Sequence, residues 1–168
     1  MTAPVVWLGD RLVDPDDAAV RWDDHGLTVG DGVFETLKVV DGVPFALSRH
    51  LVRLGRSAAG LGMDLPDAAA VRGAVGAVAA ALDGGTARLR ITVTAGPGPM
   101  GSSRGGTGPT LLVTGSSAAF PAGPTDVVTV PFTRNPTSAV AGLKTTSYAE
   151  NLVALARAES AGASESLL

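Results

Sequence analysis

Apolar and polar positions along this chain alternate at two periods, and the switches between them mark out strands and helices. Val5-Val6-Trp7-Leu8 and Arg11-Leu12-Val13 flank Gly9-Asp10 and predict a hairpin. Two polar, turn-rich connections follow, Asp14-Pro15-Asp16-Asp17 and Asp23-Asp24-His25-Gly26. Residues 34–40 and 43–47 then read as strands about Asp41-Gly42, the strongest short hairpin signal in the chain. From there the period lengthens. Ser48 is the expected cap of a helix running from Arg49 to about Ala59. Leu47, Leu51, Leu54 and Ala58 form its buried stripe, and His50 and Arg53 lie one turn apart on another face. Gly60-Leu61-Gly62 stops it, and Pro66-Asp67 opens a second helix, mostly Ala, Val and Gly, that reaches Leu82.

Strict alternation returns over 88–94 and 110–114, which read as paired strands. Between them, residues 96–101 match the G-x-G-x-x-G pattern. That fingerprint marks a dinucleotide site only where it opens a helix within a strand–helix–strand unit. Here prolines occupy the turn and the next element is a strand, so the run reads as a loop able to cover a substrate. Phe120-Pro121-Ala122-Gly123-Pro124-Thr125 is the best break in the chain. The expected organisation is an N-terminal α/β domain over 1–118, a linker over 119–126 and the start of a second domain over 127–168. That second part holds a strand at 127–130, a turn at Arg134-Asn135-Pro136, a helix through Leu152, Leu155, Ala156 and Glu159 that Gly162 ends, and a last strand beginning at Glu165.

Composition narrows the function classes. Hydrophobic residues make up 45% of the 168 and aromatics 4%, so the core is built from Ala, Val and Leu. A net charge of −3 argues against nucleic acid or an anionic membrane as the main partner, since both reward a basic face. The absence of cysteine removes thiolate catalysis and Cys-ligated metal. No stretch approaches the ~20 apolar residues of a membrane span, and the first residues lack a signal peptide's basic-then-apolar pattern. A soluble cytoplasmic protein is the expectation. Hydrolytic chemistry finds little support: there is no G-x-S-x-G elbow, and the two histidines and four glutamates never fall at H-E-x-x-H spacing.

Only two lysines are present, Lys38 and Lys144. Lys144 sits in Gly142-Leu143-Lys144-Thr145-Thr146-Ser147, among hydroxyls at the mouth of a helical pattern, the setting a Schiff-base lysine requires. In isolation the same residue reads rather as a solvated surface lysine. What decides is its combination with Gly30-Asp31-Gly32-Val33-Phe34-Glu35-Thr36 and with His50-x-x-Arg53-Leu54 upstream, and with Tyr148 and Asn151 downstream.

Together these blocks resemble the fold-type IV (class IV) pyridoxal-phosphate enzymes, which include branched-chain aminotransferases, D-amino-acid aminotransferases and aminodeoxychorismate lyases. The resemblance covers essentially the whole chain. It implies a two-domain class IV aminotransferase-like fold of the α+β or α/β type, an N-terminal α/β sandwich followed by the start of a C-terminal pseudo-barrel. It implies pyridoxal 5'-phosphate as cofactor, a small amino substrate and a homodimer. Lys144 matches the lysine that forms the Schiff base with the cofactor aldehyde and moves the proton at the substrate Cα. Arg53 matches the arginine that binds the cofactor phosphate, with Arg49 or Arg56 as rivals if the register slips. Tyr148 matches the tyrosine that hydrogen-bonds the cofactor's phenolic oxygen. Glu35 and Thr36 belong to the motif on the substrate side, Arg104 is a candidate for a substrate carboxylate, and His50 reads as a structural partner on its helix. Within the family the compact first block and Leu143-Lys144-Thr145-Thr146 favour the lyase, which eliminates pyruvate to give 4-aminobenzoate. Amino-group transfer is the runner-up, and a catalytically incomplete interaction module is a third reading. The family's glutamate partner for the pyridine nitrogen lies beyond Glu165 and has no counterpart in these residues, so the resemblance also implies that this sequence is part of a longer protein or a natural short relative that has lost catalysis.

Overall fold

The first hairpin forms as its sequence directs, with Val5–Leu8 (β1) antiparallel to Arg11–Val13 (β2). The structure is a computed structural model, and it describes residues 3–120 and 122–168. A short 3-10 turn at Pro15–Asp17 and a single helical turn at His25–Thr28 (α1) follow, where the sequence reads only as polar connection. Both are capped by an Asp side chain, Asp14 and Asp24, each accepting a main-chain N–H two residues on.

Gly32–Val40 (β3) turns through Asp41-Gly42, both at positive φ (46° and 77°), into Val43–Pro44 (β4). That geometry suits a two-residue hairpin. The second strand is shorter than expected because the chain leaves it at Phe45 to start Leu47–Gly60 (α2). The residue before that helix is Ala46, in the left-handed region at φ 52°, with no side-chain cap. Ser48 therefore lies inside the first turn, not at the cap, a correction to the sequence reading. Ala68–Ala80 (α3) is capped as expected, with the Asp67 carboxylate accepting the Ala69 N–H. Val71, Ala74, Val75, Val78 and Ala79 are buried at helical spacing.

Thr86–Thr94 (β5) and Thr110–Ser117 (β6) pair antiparallel, completing a six-stranded sheet of order β2-β1-β6-β5-β3-β4. One sheet face carries Val33, Leu37 and Val39 from β3, Ala87, Leu89, Ile91 and Val93 from β5, and Leu111 and Val113 from β6. These residues, with Leu54 and Ala58 of α2 and the buried residues of α3, make the core. The opposite face carries Phe34, Thr36 and Lys38 of β3 against Thr92, Arg90 and Arg88 of β5.

Two compact units account for the chain. The first takes in the residues as far as Ala119 and also Gly142–Thr146. The second is Phe120–Ala141 with Ser147–Leu168. In it Val127–Thr129 (β7) pairs in parallel with Glu165–Leu167 (β8), joined through Ala149–Ser160 (α4), which buries Ala154 and Ala158 one turn apart. The helix ends at Gly162, at φ 79°, as its sequence predicts. Among the described residues no helix is long and apolar enough to cross a membrane.

Candidate functional site

Strand alternation puts Glu35 on the helix-covered face of β3, where its carboxylate is fully buried. A buried charge must be paired to be tolerated. The partners come from α2, and they are the two residues the sequence places one turn apart: Arg53 Nε donates to Oε1 at 2.6 Å and Nη2 to Oε2 at 2.5 Å, while His50 Nδ1 lies 2.8 Å from Oε2. Burial by itself raises the Glu35 pKa, but the hydrogen bonds from Arg53 and His50 outweigh it and hold the carboxyl below its ordinary value. The same bonds raise Arg53. The Arg53 side chain nevertheless remains 45% exposed.

Four residues beyond Arg53 on α2, hence on the same face, is Ser57. It is buried, and its hydroxyl accepts the main-chain N–H of Lys144 at 3.0 Å. The Lys144 carbonyl in turn accepts the Phe34 N–H at 3.1 Å, Thr146 N–H reaches the Gly32 carbonyl at 2.8 Å, and Thr145 forms an antiparallel bridge with Val33. Residues 144–146 thus lie along the edge of β3 that the short β4 leaves uncovered. Leu143 seats on the end of α2 at Gly60, where an added Cβ would come within 2.7 Å of a Leu143 methyl. This close approach is what the glycine allows.

Pairing of Lys144 with Phe34 turns the lysine side chain to the open sheet face. Its Nζ lies 4.0 Å from the centre of the Phe34 ring, and the Arg90 guanidinium carbon lies 3.8 Å from the same centre. Thr36 is also on this face, opposite Arg90. Glu35 and Thr36, adjacent in sequence, therefore belong to different faces, and only Thr36 shares the side on which Lys144 emerges.

The Gly/Pro loop between β5 and β6 contains no helix. It is fastened by residues the sequence reading passed over. Asp24, fully buried, accepts from Gly26 N–H and from the hydroxyls of Thr94 and Thr110, at 2.8, 2.9 and 2.7 Å. His25, also buried, has Nε2 3.1 Å from the Pro99 carbonyl. A carbonyl only accepts, so Nε2 carries the proton, and Nδ1 is left buried without a hydrogen-bond partner. The only advance signal was the Asp-His pair preceding a glycine, which reads equally as a turn. Arg104, in the same loop, is clasped rather than solvated. Nε and Nη2 grip Asp31 at 2.6 and 2.8 Å, Nη2 also donates to the Leu61 carbonyl at 2.9 Å, and Nη1 donates to the Gly62 carbonyl. With Arg21 and Asp23 the loop frames a cleft of about 440 Å³, whose lining includes neither Lys144 nor Arg53.

Tyr148 stands at the N-terminal boundary of α4 in the second unit and is 40% exposed. The first unit thus brings together Lys144, Arg53, Glu35 and Thr36 about β3 and α2, and holds Arg104 in a separate clasp. Among the described residues no group of three or more His, Asp or Glu side chains is placed to hold a metal ion.

Comparison with known proteins gives a consistent picture. The family model described as Amino-transferase class IV matches residues 32–168. A segment of 61 residues is 48% identical to a putative branched-chain-amino-acid aminotransferase of Methanocaldococcus jannaschii, covering 36% of this chain and 21% of that protein. Another, of 60 residues, is 40% identical to a D-alanine aminotransferase of Bacillus licheniformis, with the same shares covered. Among solved structures, a fold IV-transaminase from Curtobacterium pusillum superposes with a TM-score of 0.84 at 34% identity, over 98% of this chain and 63% of that one. The 4-amino-4-deoxychorismate lyase of Pseudomonas aeruginosa does so with a TM-score of 0.77 at 34% identity, over 97% and 60%. The chain therefore spans less than two thirds of the length of these two structures.

Proposed function

Since this chain belongs to the class IV aminotransferase family, we propose that Lys144 is the amine that carries pyridoxal 5'-phosphate in an enzyme acting on small amino substrates. One observation carries the reading: Ser57, one turn from Arg53 on α2, fixes the main chain of Lys144 at the uncovered edge of β3, so the residue that carries the amine is anchored to the helix that carries the partly exposed guanidinium. The donor set suits a cofactor that has both an aldehyde and a phosphate. The amine is the nucleophile an aldehyde needs, and the outer N–H groups of Arg53 suit a phosphate dianion.

When bound, the cofactor supplies an electron sink for charge developing at the substrate Cα. The remaining tasks fall to this chain. Glu35, itself bonded to His50, orients Arg53 through two hydrogen bonds while the arginine side chain stays half exposed. The Phe34 ring supports Lys144 Nζ, which holds and moves the proton at the substrate carbon. Tyr148 is proposed to hydrogen-bond the cofactor's phenolic oxygen. Thr36, on the face that Lys144 enters, is proposed to meet the substrate, and a homodimer is the proposed assembly.

For the reaction, the lyase reading (pyruvate elimination to 4-aminobenzoate) is supported by the whole-chain likeness to the Pseudomonas aeruginosa lyase. Amino-group transfer on branched-chain or D-amino acids is supported by the segments similar to the Methanocaldococcus jannaschii and Bacillus licheniformis proteins. The test uses the full-length protein. Incubation with the cofactor followed by borohydride should label Lys144, and Lys144→Ala should abolish the label; labelling elsewhere, or none, overturns the assignment. A panel of branched-chain and D-amino acids then separates the reactions, because conversion of the bound cofactor to its amine form by several of them overturns a lyase-only activity.

A further inference from the structure

Arg104 divides its guanidinium between two elements. Nε and Nη2 hold the Asp31 carboxylate at 2.6 and 2.8 Å, while Nη2 and Nη1 donate to the carbonyls of Leu61 and Gly62. The way α2 ends makes those carbonyls available. Gly62, at φ 60°, donates its N–H to the Ala59 carbonyl, and Met63 donates to Ala58, the paired bonds of a left-handed helix stop. A helix C-terminus leaves its last carbonyls without intrahelical partners and favours a cation beside them.

Each anchor of Arg104 adjoins an anchor of the Lys144 segment. Asp31 lies between Gly30 and Gly32, whose carbonyls accept the Thr146 hydroxyl at 2.9 Å and the Thr146 N–H at 2.8 Å. At Gly32 the fit is steric too, since an added Cβ would come within 3.0 Å of that hydroxyl. On the helix side, Leu61 follows Gly60, on which Leu143 seats, and Ser57 one turn earlier accepts the Lys144 N–H. Residues 143–146 therefore dock on two walls, the start of β3 and the end of α2. Arg104 ties those walls together.

We propose that Arg104 is a positioning residue for Lys144. The inference rests on the reading of Lys144 as the reacting amine. By holding Asp31 against the end of α2, the guanidinium sets the spacing into which residues 143–146 fit, and so fixes where the amine is presented. A planar fork suits this task, because its paired N–H groups fix orientation as well as distance. The role differs from the substrate contact that the sequence suggests for Arg104, and experiment separates the two.

The test uses the full-length protein freed of cofactor. Hydrogen exchange reads the amides of Lys144 and Thr146, and timed incubation with pyridoxal 5'-phosphate followed by borohydride reads the presentation of the amine. Arg104→Gln should speed exchange at those two amides about 10- to 100-fold, the range that hydrogen bonds to a charged group carry. Labelling of Lys144 should slow in the same variant. The amides of Leu89 and Ile91, in the middle of β5, should exchange as in wild type. Arg104→Lys, which keeps the charge and loses the fork, should fall between wild type and Arg104→Gln. Adding Asp31→Asn to Arg104→Gln should change little more, because both act through one contact.

Wild-type exchange and labelling in Arg104→Gln overturn the proposal. So does equal acceleration at Leu89 and Ile91, which marks a general loss of stability. Weaker binding of a carboxylate probe, 3-methylbutanoate, with labelling unchanged also overturns it, in favour of a substrate contact. Failure of wild-type Lys144 to label overturns the cofactor reading instead, while exchange at Lys144 and Thr146 still tests the positioning.

Discussion

The hydroxyl of Ser57 accepts the main-chain N–H of Lys144 at 3.0 Å, a bond between residues 87 positions apart. It is made by a side chain that is itself buried. Position and reactivity of Lys144 are therefore divided: its main chain is held by Ser57 and Phe34, and its side chain is left for chemistry. Ser57→Ala removes the acceptor and leaves that N–H unmatched, at a cost of about 1–3 kcal/mol. Urea denaturation should show the loss, and borohydride labelling of Lys144 should slow in the same variant.

Lys144→Ala should behave in the opposite way. The main-chain bonds remain and the contact of Nζ with the Phe34 ring is lost, so stability should fall by only about 1 kcal/mol. Labelling should vanish completely. A thermal melt alongside mass spectrometry reads both.

Arg53 and Glu35 are coupled more tightly. Arg53→Met leaves the buried carboxylate with His50 alone. Loss of one partner of a buried pair costs roughly 3–5 kcal/mol, and about 2 kcal/mol is expected here because Arg53 is half exposed. Adding Glu35→Gln to Arg53→Met should restore part of the loss, since the uncompensated charge is gone. A double-mutant cycle by chemical denaturation measures the coupling.

The lowered Glu35 pKa gives stability a pH dependence. The folded form binds its proton less readily than the unfolded chain, whose ordinary value is about 4.3. The contribution is fully present above that value and is lost as the pH falls through the lower folded value. Glu35→Gln should flatten this part of the acid limb in denaturation midpoints taken between about pH 5 and pH 2.

The loop clasp makes a separate prediction. A Cβ at Gly98 would strike Nε2 of the buried His25. Gly98→Ala should therefore displace the Pro99 carbonyl from His25 and destabilise the first unit by about 1–3 kcal/mol, the usual cost of overpacking. Hydrogen exchange over residues 96–110 should increase, while Lys144 labelling is preserved.

Much of the scaffold was legible in the sequence because it rests on local rules. The hairpin at Asp41-Gly42, the Asp67 cap, the β5–β6 pairing and the Gly162 stop each follow from turn chemistry or periodicity. The pairing of His50 with Arg53 was legible as a shared helix face, and their common partner Glu35 was not, because strand alternation decides which of Glu35 and Thr36 turns inward. Ser48 looked like a cap, but the chain reached the helix through a left-handed Ala46, which no side-chain propensity announces. Asp24 and His25 were missed for a different reason. Their partners Thr94, Thr110 and Pro99 are 70 to 86 residues away, and only the assembled sheet brings them together.

Lys144 reaches its place by closing a long loop of chain onto β3 and α2, and that closure has a thermodynamic side. Ordering 142–146 gathers ends far apart in sequence, a contact formed at an entropic cost and, on topological grounds, late in folding. A ligand gripping both Lys144 and Arg53 ties those distant stretches together and binds only the closed form, so its free energy of binding adds to the stability of the closure. The cofactor would then be a fastener as much as a reagent, and its loss would first be felt as release of the strand-edge segment from β3.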